Sequence, residues 1–144
     1  MKKYANFAIE KTVELLAIDS PTGFTSQAAE YVKNEFAALG GKVSVTGKGG
    51  ILVDLGGEGE GLLLEAHTDT LGGMVAEIKG NGCLRLTPLG GMNAANGETE
   101  NVRVYTRGGK IVEGTLQLCN ASIHVNGNFS EEKRTFDTTE ILLD

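Results

Sequence analysis

Apolar residues recur at helical spacing up to residue 39 and at strand spacing from residue 43, so the chain predicts two helices followed by strands. Ile9, Val13 and Leu16 fall at steps of four and three, with Glu10, Lys11 and Glu14 between them, which predicts a helix over Tyr4–Ile18 with one face packed inward. Asp19-Ser20-Pro21-Thr22-Gly23 ends it, because proline has no amide donor and restricts the residue before it. A second helix begins after Thr25, a suitable N-cap, and runs to about Leu39. Ala28, Ala29, Val32, Phe36 and Leu39 form its stripe, and Gly40-Gly41 stops it.

The next segments read as strands. Val43 and Val45 alternate with polar neighbours, Gly47-Lys48-Gly49-Gly50 turns the chain, and Ile51–Leu55 returns it as a hairpin. Leu62-Leu63-Leu64 is a continuous apolar run, the pattern of a strand over 61–66 buried on both faces in the middle of an α/β sheet. Residues 56–60 are too few for a crossover helix between these strands. Beyond Gly72-Gly73 no further helix is predicted, only short strands at 74–79, 83–87, 102–106, 111–118 and 122–125, separated by glycine and asparagine turns. The stretch 135–144 is also strand-like. The change of class predicts a boundary near Gly72-Gly73, with an α/β part over 1–72 and a small all-β barrel or sandwich over 73–144.

Composition narrows the function. A chain of 144 residues holds one ordinary domain or two small ones, and no apolar segment approaches the roughly 20 residues of a membrane helix. Glu10 and Glu14 interrupt what would be a signal-peptide core, so the expected location is the cytoplasm, with no membrane partner. The net charge of −6 is spread over the chain, −4 in residues 1–72 (six basic, ten acidic) and −2 in 73–144 (seven basic, nine acidic). That surface repels a phosphate backbone, which argues against nucleic acid as a partner. Cys83 and Cys119 lack Cys-x-x-Cys spacing and read as buried free thiols.

Candidate chemistry gathers where the 61–66 strand would end. His67 and Asp69 are two residues apart, so in extended chain they face the same side. The carboxyl end of a central strand is where open α/β sheets place ligands. There the aspartate can accept one imidazole N–H and fix the tautomer, leaving the other nitrogen for a metal; the alternative is plain hydrogen-bonded structure. A catalytic zinc wants about three protein ligands, and the other histidine, His124, reads as an ordinary strand residue. Glu65 turns to the opposite face, Asp54, Glu58 and Glu60 read as solvated turn charges, and Ser20 has no Gly-x-Ser-x-Gly context. The glycine-rich stretches 47–50 and 56–61 do not match a phosphate-binding loop, leaving a small-molecule module built on loops 56–73 with only glycine content behind it.

Several segments in order resemble the N-terminal portion of the glutamyl aminopeptidase family, the cocatalytic metallo-aminopeptidases that include the tetrahedral TET enzymes. They are Ser20-Pro21-Thr22-Gly23, Leu64-Glu65-Ala66-His67-Thr68-Asp69, Met74-Val75-Ala76-Glu77-Ile78, the stretch from Gly82-Cys83 to Gly90-Gly91, and Gly109-Lys110-Ile111-Val112-Glu113-Gly114. The resemblance implies an α/β catalytic domain, here 1–72, interrupted by an inserted barrel-like β-domain, here 73–144, that serves dimerisation and homo-oligomeric assembly. It implies two divalent metal ions, zinc or cobalt, and a peptide substrate that loses its N-terminal residue. By position His67 would be a metal ligand and Asp69 its orienting partner. Thr70-Leu71-Gly72-Gly73 departs from the family's more usual Glu-Val-Gly. The family's remaining ligands and its general base follow the inserted domain and are not among these residues. The chain by itself is therefore expected to bind metal weakly and catalyse little. A rival expectation is a non-catalytic β-domain module that assembles with a full-length partner.

Overall fold

The computed structural model describes residues 2–144, which divide into two compact units, one running to Leu71 and the other spanning Gly72–Asp144. The first unit contains α1 (Lys2–Leu16), α2 (Ser26–Ala38) and an antiparallel hairpin of β1 (Lys42–Val45) and β2 (Ile51–Asp54). The hairpin register pairs Lys42 with Asp54 and Val45 with Ile51. Both helices and the hairpin follow the sequence periods, although Thr25 caps α2 without a side-chain hydrogen bond. α2 lies close to the hairpin: Ala28 is fully buried, and a side chain at Gly41 would meet Val53 Cγ1 at 2.8 Å and the Phe36 carbonyl at 3.0 Å. Polar groups tie α1 to α2. Lys11 Nζ lies 2.8 Å from Glu14 Oε2 and 3.0 Å from Glu35 Oε2, and the Tyr31 hydroxyl donates to Glu14. The Lys11 ammonium, followed by the Tyr31 hydroxyl, holds the Glu14 carboxyl below the usual carboxylate range.

Two expectations for this unit fail for the same reason. The stripe of α1 is not buried: Ile9, Val13 and Leu16 are each about two-thirds exposed. Residues 61–66 form no strand, and Leu62, Leu63 and Leu64 are exposed. An apolar run becomes a central strand only when neighbours supply backbone partners on both sides, and among the described residues the first unit's sheet has only the two strands of the hairpin.

The second unit is one antiparallel sheet of five strands. They are β3 (Gly72–Ile78), β4 (Leu84–Leu89), β5 (Asn101–Tyr105), β6 (Ile111–Leu118) and β7 (Thr139–Leu143), in the spatial order β3-β4-β7-β6-β5. The last strand to form in sequence enters the middle, where Ile141 pairs with Leu84 on one side and Leu116 on the other. These residues and Leu86 make the buried core, with Met92, Val102, Val104, Phe136 and Leu143 packed against it. The strand-like end of the sequence is thus the centre of the sheet. A closed barrel would join β3 to β5, and no such ladder exists among the described residues, so the sheet is open at both edges.

Two further expectations are corrected here. Residues 122–125 contain a turn instead of a strand, and a short helix, α3 (Ala94–Gly97), follows β4, capped by the Asn93 side chain accepting from the Ala95 amide at 3.0 Å. Four residues are too few to leave a periodic signal.

Gly114 shows how tightly the centre is packed. A Cβ there would lie 2.5 Å from the Leu142 carbonyl oxygen and 3.0 Å from Ile141 Cγ2. Backbone cannot yield as a side-chain tip can, so Gly114→Ala forces β6 from β7 and costs about 1–3 kcal/mol by overpacking. We expect a lower denaturant midpoint for loss of the sheet; an unchanged midpoint would refute the packing account.

Candidate metal centre

The segment 67–70 is held by the loop between α1 and α2. Thr70 makes an isolated parallel bridge with Pro21, its amide donating to the Ser20 carbonyl at 2.9 Å. The Ser20 side chain is buried and donates to the Thr68 carbonyl at 2.9 Å, with Thr70 Oγ1 at 3.5 Å. The loop keeps its own shape through a turn in which the Phe24 amide donates to the Pro21 carbonyl at 2.7 Å. Gly23 sits in that turn at φ +87°, a backbone region that glycine enters without steric cost.

This tie sets the site geometry. Thr22 Oγ1 donates to Asp69 Oδ2 at 2.7 Å, and the other carboxylate oxygen, Oδ1, lies 3.2 Å from His67 Nδ1. His67 Nδ1 also lies 3.0 Å from the Asp69 main-chain carbonyl. A carbonyl oxygen only accepts, so this contact calls for the proton on Nδ1, which in the neutral ring leaves the lone pair on Nε2. The Thr22 hydroxyl, the largest influence, holds the Asp69 carboxyl below its ordinary range; partial desolvation opposes it and His67 adds to it. The His67 side chain is 84% exposed, so its ring is open to a ligand.

The structure therefore brings His67 and Asp69 together, as the two-residue spacing predicts, but through a loop tie instead of a strand end. Glu65 is exposed, and His124 lies in a turn of the second unit. Sequence reasoning missed Ser20 and Thr22 as positioning residues. Their signal is the pair of hydroxyls flanking Pro21 in a helix break. Among the described residues no three His, Cys, Asp or Glu side chains gather as a metal-binding group. The donor set fits one ligand position, with the Asp69 oxygens already engaged by Thr22 and His67.

Removing the Ser20 hydroxyl leaves the Thr68 carbonyl without its donor. Ser20→Ala is expected to loosen the tie by about 1–3 kcal/mol, read as roughly ten- to hundredfold faster hydrogen exchange at the Thr70 amide. Unchanged exchange would mean that the loop does not hold the segment.

The family model of the M42 glutamyl aminopeptidases matches residues 49–144. A Bacillus subtilis (strain 168) protein named as an aminopeptidase, YhfE, is 33% identical over 143 residues, covering 95% of this chain and 41% of its own length. Among solved structures, the TET aminopeptidase of the marine sediment archaeon Thaumarchaeota archaeon SCGC AB-539-E09 superposes with a TM-score of 0.80 at 22% identity, over 96% of this chain and 38% of that one. PhTET1-12s, a dodecamer in its crystal, gives 0.76 at 24% identity, over 94% of this chain and 39% of that one. The chain thus spans about two-fifths of the length of these relatives.

Proposed function

The chain belongs to the M42 glutamyl aminopeptidase family, and from that premise we propose that, once completed by the rest of the family fold, it releases N-terminal residues from peptides at a centre of two divalent metal ions. His67 is the ligand this chain contributes, through Nε2. Asp69 orients the ring, and Ser20 and Thr22 hold Asp69 and its neighbours in register. The observation that carries the reading is the fixed tautomer: Nδ1 is taken by the Asp69 carbonyl and carboxylate, which turns the lone pair outward. When bound, with His67 as this chain's ligand, two divalent ions, zinc or cobalt, would supply Lewis acidity to the peptide carbonyl and to the attacking water. With one ligand position, the chain alone binds metal weakly and turns over little.

The second unit serves assembly in this reading, as a domain inserted in the catalytic fold. Its edge strand β3 exposes Met74, Val75 and Ile78, apolar side chains on an unpaired strand edge suited to a copy of itself. The dodecameric state of PhTET1-12s supports a homo-oligomer. A cytoplasmic location belongs to the same proposal; among the described residues no helix is long and apolar enough to cross a membrane.

The test is metal dependence of the completed enzyme on aminoacyl substrates. Dialysis against a chelator is expected to abolish release, and zinc or cobalt to restore it. Release that survives exhaustive chelation would overturn the proposal.

A further inference from the structure

In the second unit, three reactive side chains meet at the ends of different strands. Lys79, just after β3, places Nζ 2.7 Å from Glu140 Oε2 and 3.2 Å from Cys119 Sγ. Both ends of the contact are held by backbone. The Lys79 amide donates to the Cys83 carbonyl at 2.9 Å in the β3–β4 turn, and the Cys119 amide donates to the Thr138 carbonyl at 2.9 Å. Glu140, on the central strand β7, is buried, with 7% of its side chain exposed. Cys119 is exposed, against the expectation of a buried thiol, and so is open to dissolved oxidants, whereas Cys83 is buried.

We propose that Lys79 and Cys119 form a reversible nitrogen–oxygen–sulfur bridge under oxidising conditions, with dioxygen as the oxidant. The resting lysine is an ammonium, held so by Glu140 first and Cys119 second. Its proton passes to the Glu140 carboxylate and on to solvent. One N–H bond of the amine and the S–H bond of the thiol then break, and N–O and O–S bonds form. One atom of dioxygen remains in the bridge and the other leaves as water with the two hydrogens. The amine and thiol together give up four electrons, and dioxygen takes them. A single interposed oxygen needs only a small further approach of two atoms already in contact, whereas a direct nitrogen–sulfur bond needs a much larger one.

The bridge has a structural consequence. It ties the end of edge strand β3 to the end of β6, residues 40 apart in sequence, across β4 and β7. Oxidation therefore fastens the sheet at the edge that presents Met74, Val75 and Ile78. Cys83 is the less suited partner for Cys119, because burial pushes its thiol up and disfavours the thiolate that attacks in disulfide chemistry.

The test is mass spectrometry of the chain kept in air-saturated buffer without reductant. We expect a species with one oxygen gained and two hydrogens lost, a digest in which the Lys79 and Cys119 peptides are joined, and return to the starting mass with dithiothreitol. Cys119→Ser and Lys79→Arg, the latter keeping a cation beside Glu140, are each expected to lose the species entirely. An unchanged mass would overturn the proposal. So would a Cys83–Cys119 disulfide, or oxygen carried on Cys119 alone with Lys79 free.

Discussion

Replacing His67 with alanine in the completed enzyme is expected to lower kcat/KM for N-terminal residue release by more than ~10²-fold, above the 10- to 100-fold typical of losing an outer partner. On the proposed reading the imidazole is the ligand this chain contributes, so the variant should also lose metal in proportion. Asp69→Asn separates the two roles. His67 Nδ1 is shared between the Asp69 carboxylate and the main-chain carbonyl, and the carbonyl remains after substitution. We therefore expect Asp69→Asn to keep its metal and lose about tenfold in activity, the lower end of that range. Metal analysis alongside kinetics checks both. Equal losses of metal in the two variants would mean that Asp69 is itself a ligand.

A second large effect is expected at Leu62, Leu63 and Leu64. In this chain they are exposed, at 84%, 73% and 81%, and make no strand. Changing all three to serine should alter the stability of the chain by no more than about 0.5 kcal/mol, as surface substitutions do, and should reduce its self-association. The proposal expects the completed fold to seat the same residues on both faces of a strand, where each loss would cost about 2–5 kcal/mol, enough to prevent completion. Denaturant titration of the chain, followed by a binding assay with the completing polypeptide, reads both halves. Completion that proceeds normally with the triple variant would show that 61–66 is not a central strand.

Much of the fold is legible in the sequence because it is local. The 3.6-residue period marks both helices, and the glycine turn at 47–50 marks the first hairpin. What the pattern cannot carry is the identity of the neighbour. The Leu62–Leu64 run specifies burial but not what buries it, and the α1 stripe has the same ambiguity. The sheet order places β7 between β4 and β6, a pairing that alternation within one strand does not encode. The His67–Asp69 contact was legible because it spans two residues. The Thr22 hydroxyl that holds Asp69 acts across 47 residues and was not.

The most direct test of the central claim, that His67 is one ligand of a centre completed by the rest of the family fold, is a reconstitution assay. The chain is mixed with a polypeptide carrying the remaining portion of the family sequence, complex formation is verified, and release of N-terminal residues is followed with and without chelator. The account predicts release only in the complex, abolished by chelator and by His67→Ala. Release by the chain alone, or a formed complex that is metal-loaded and active with alanine at position 67, would contradict it.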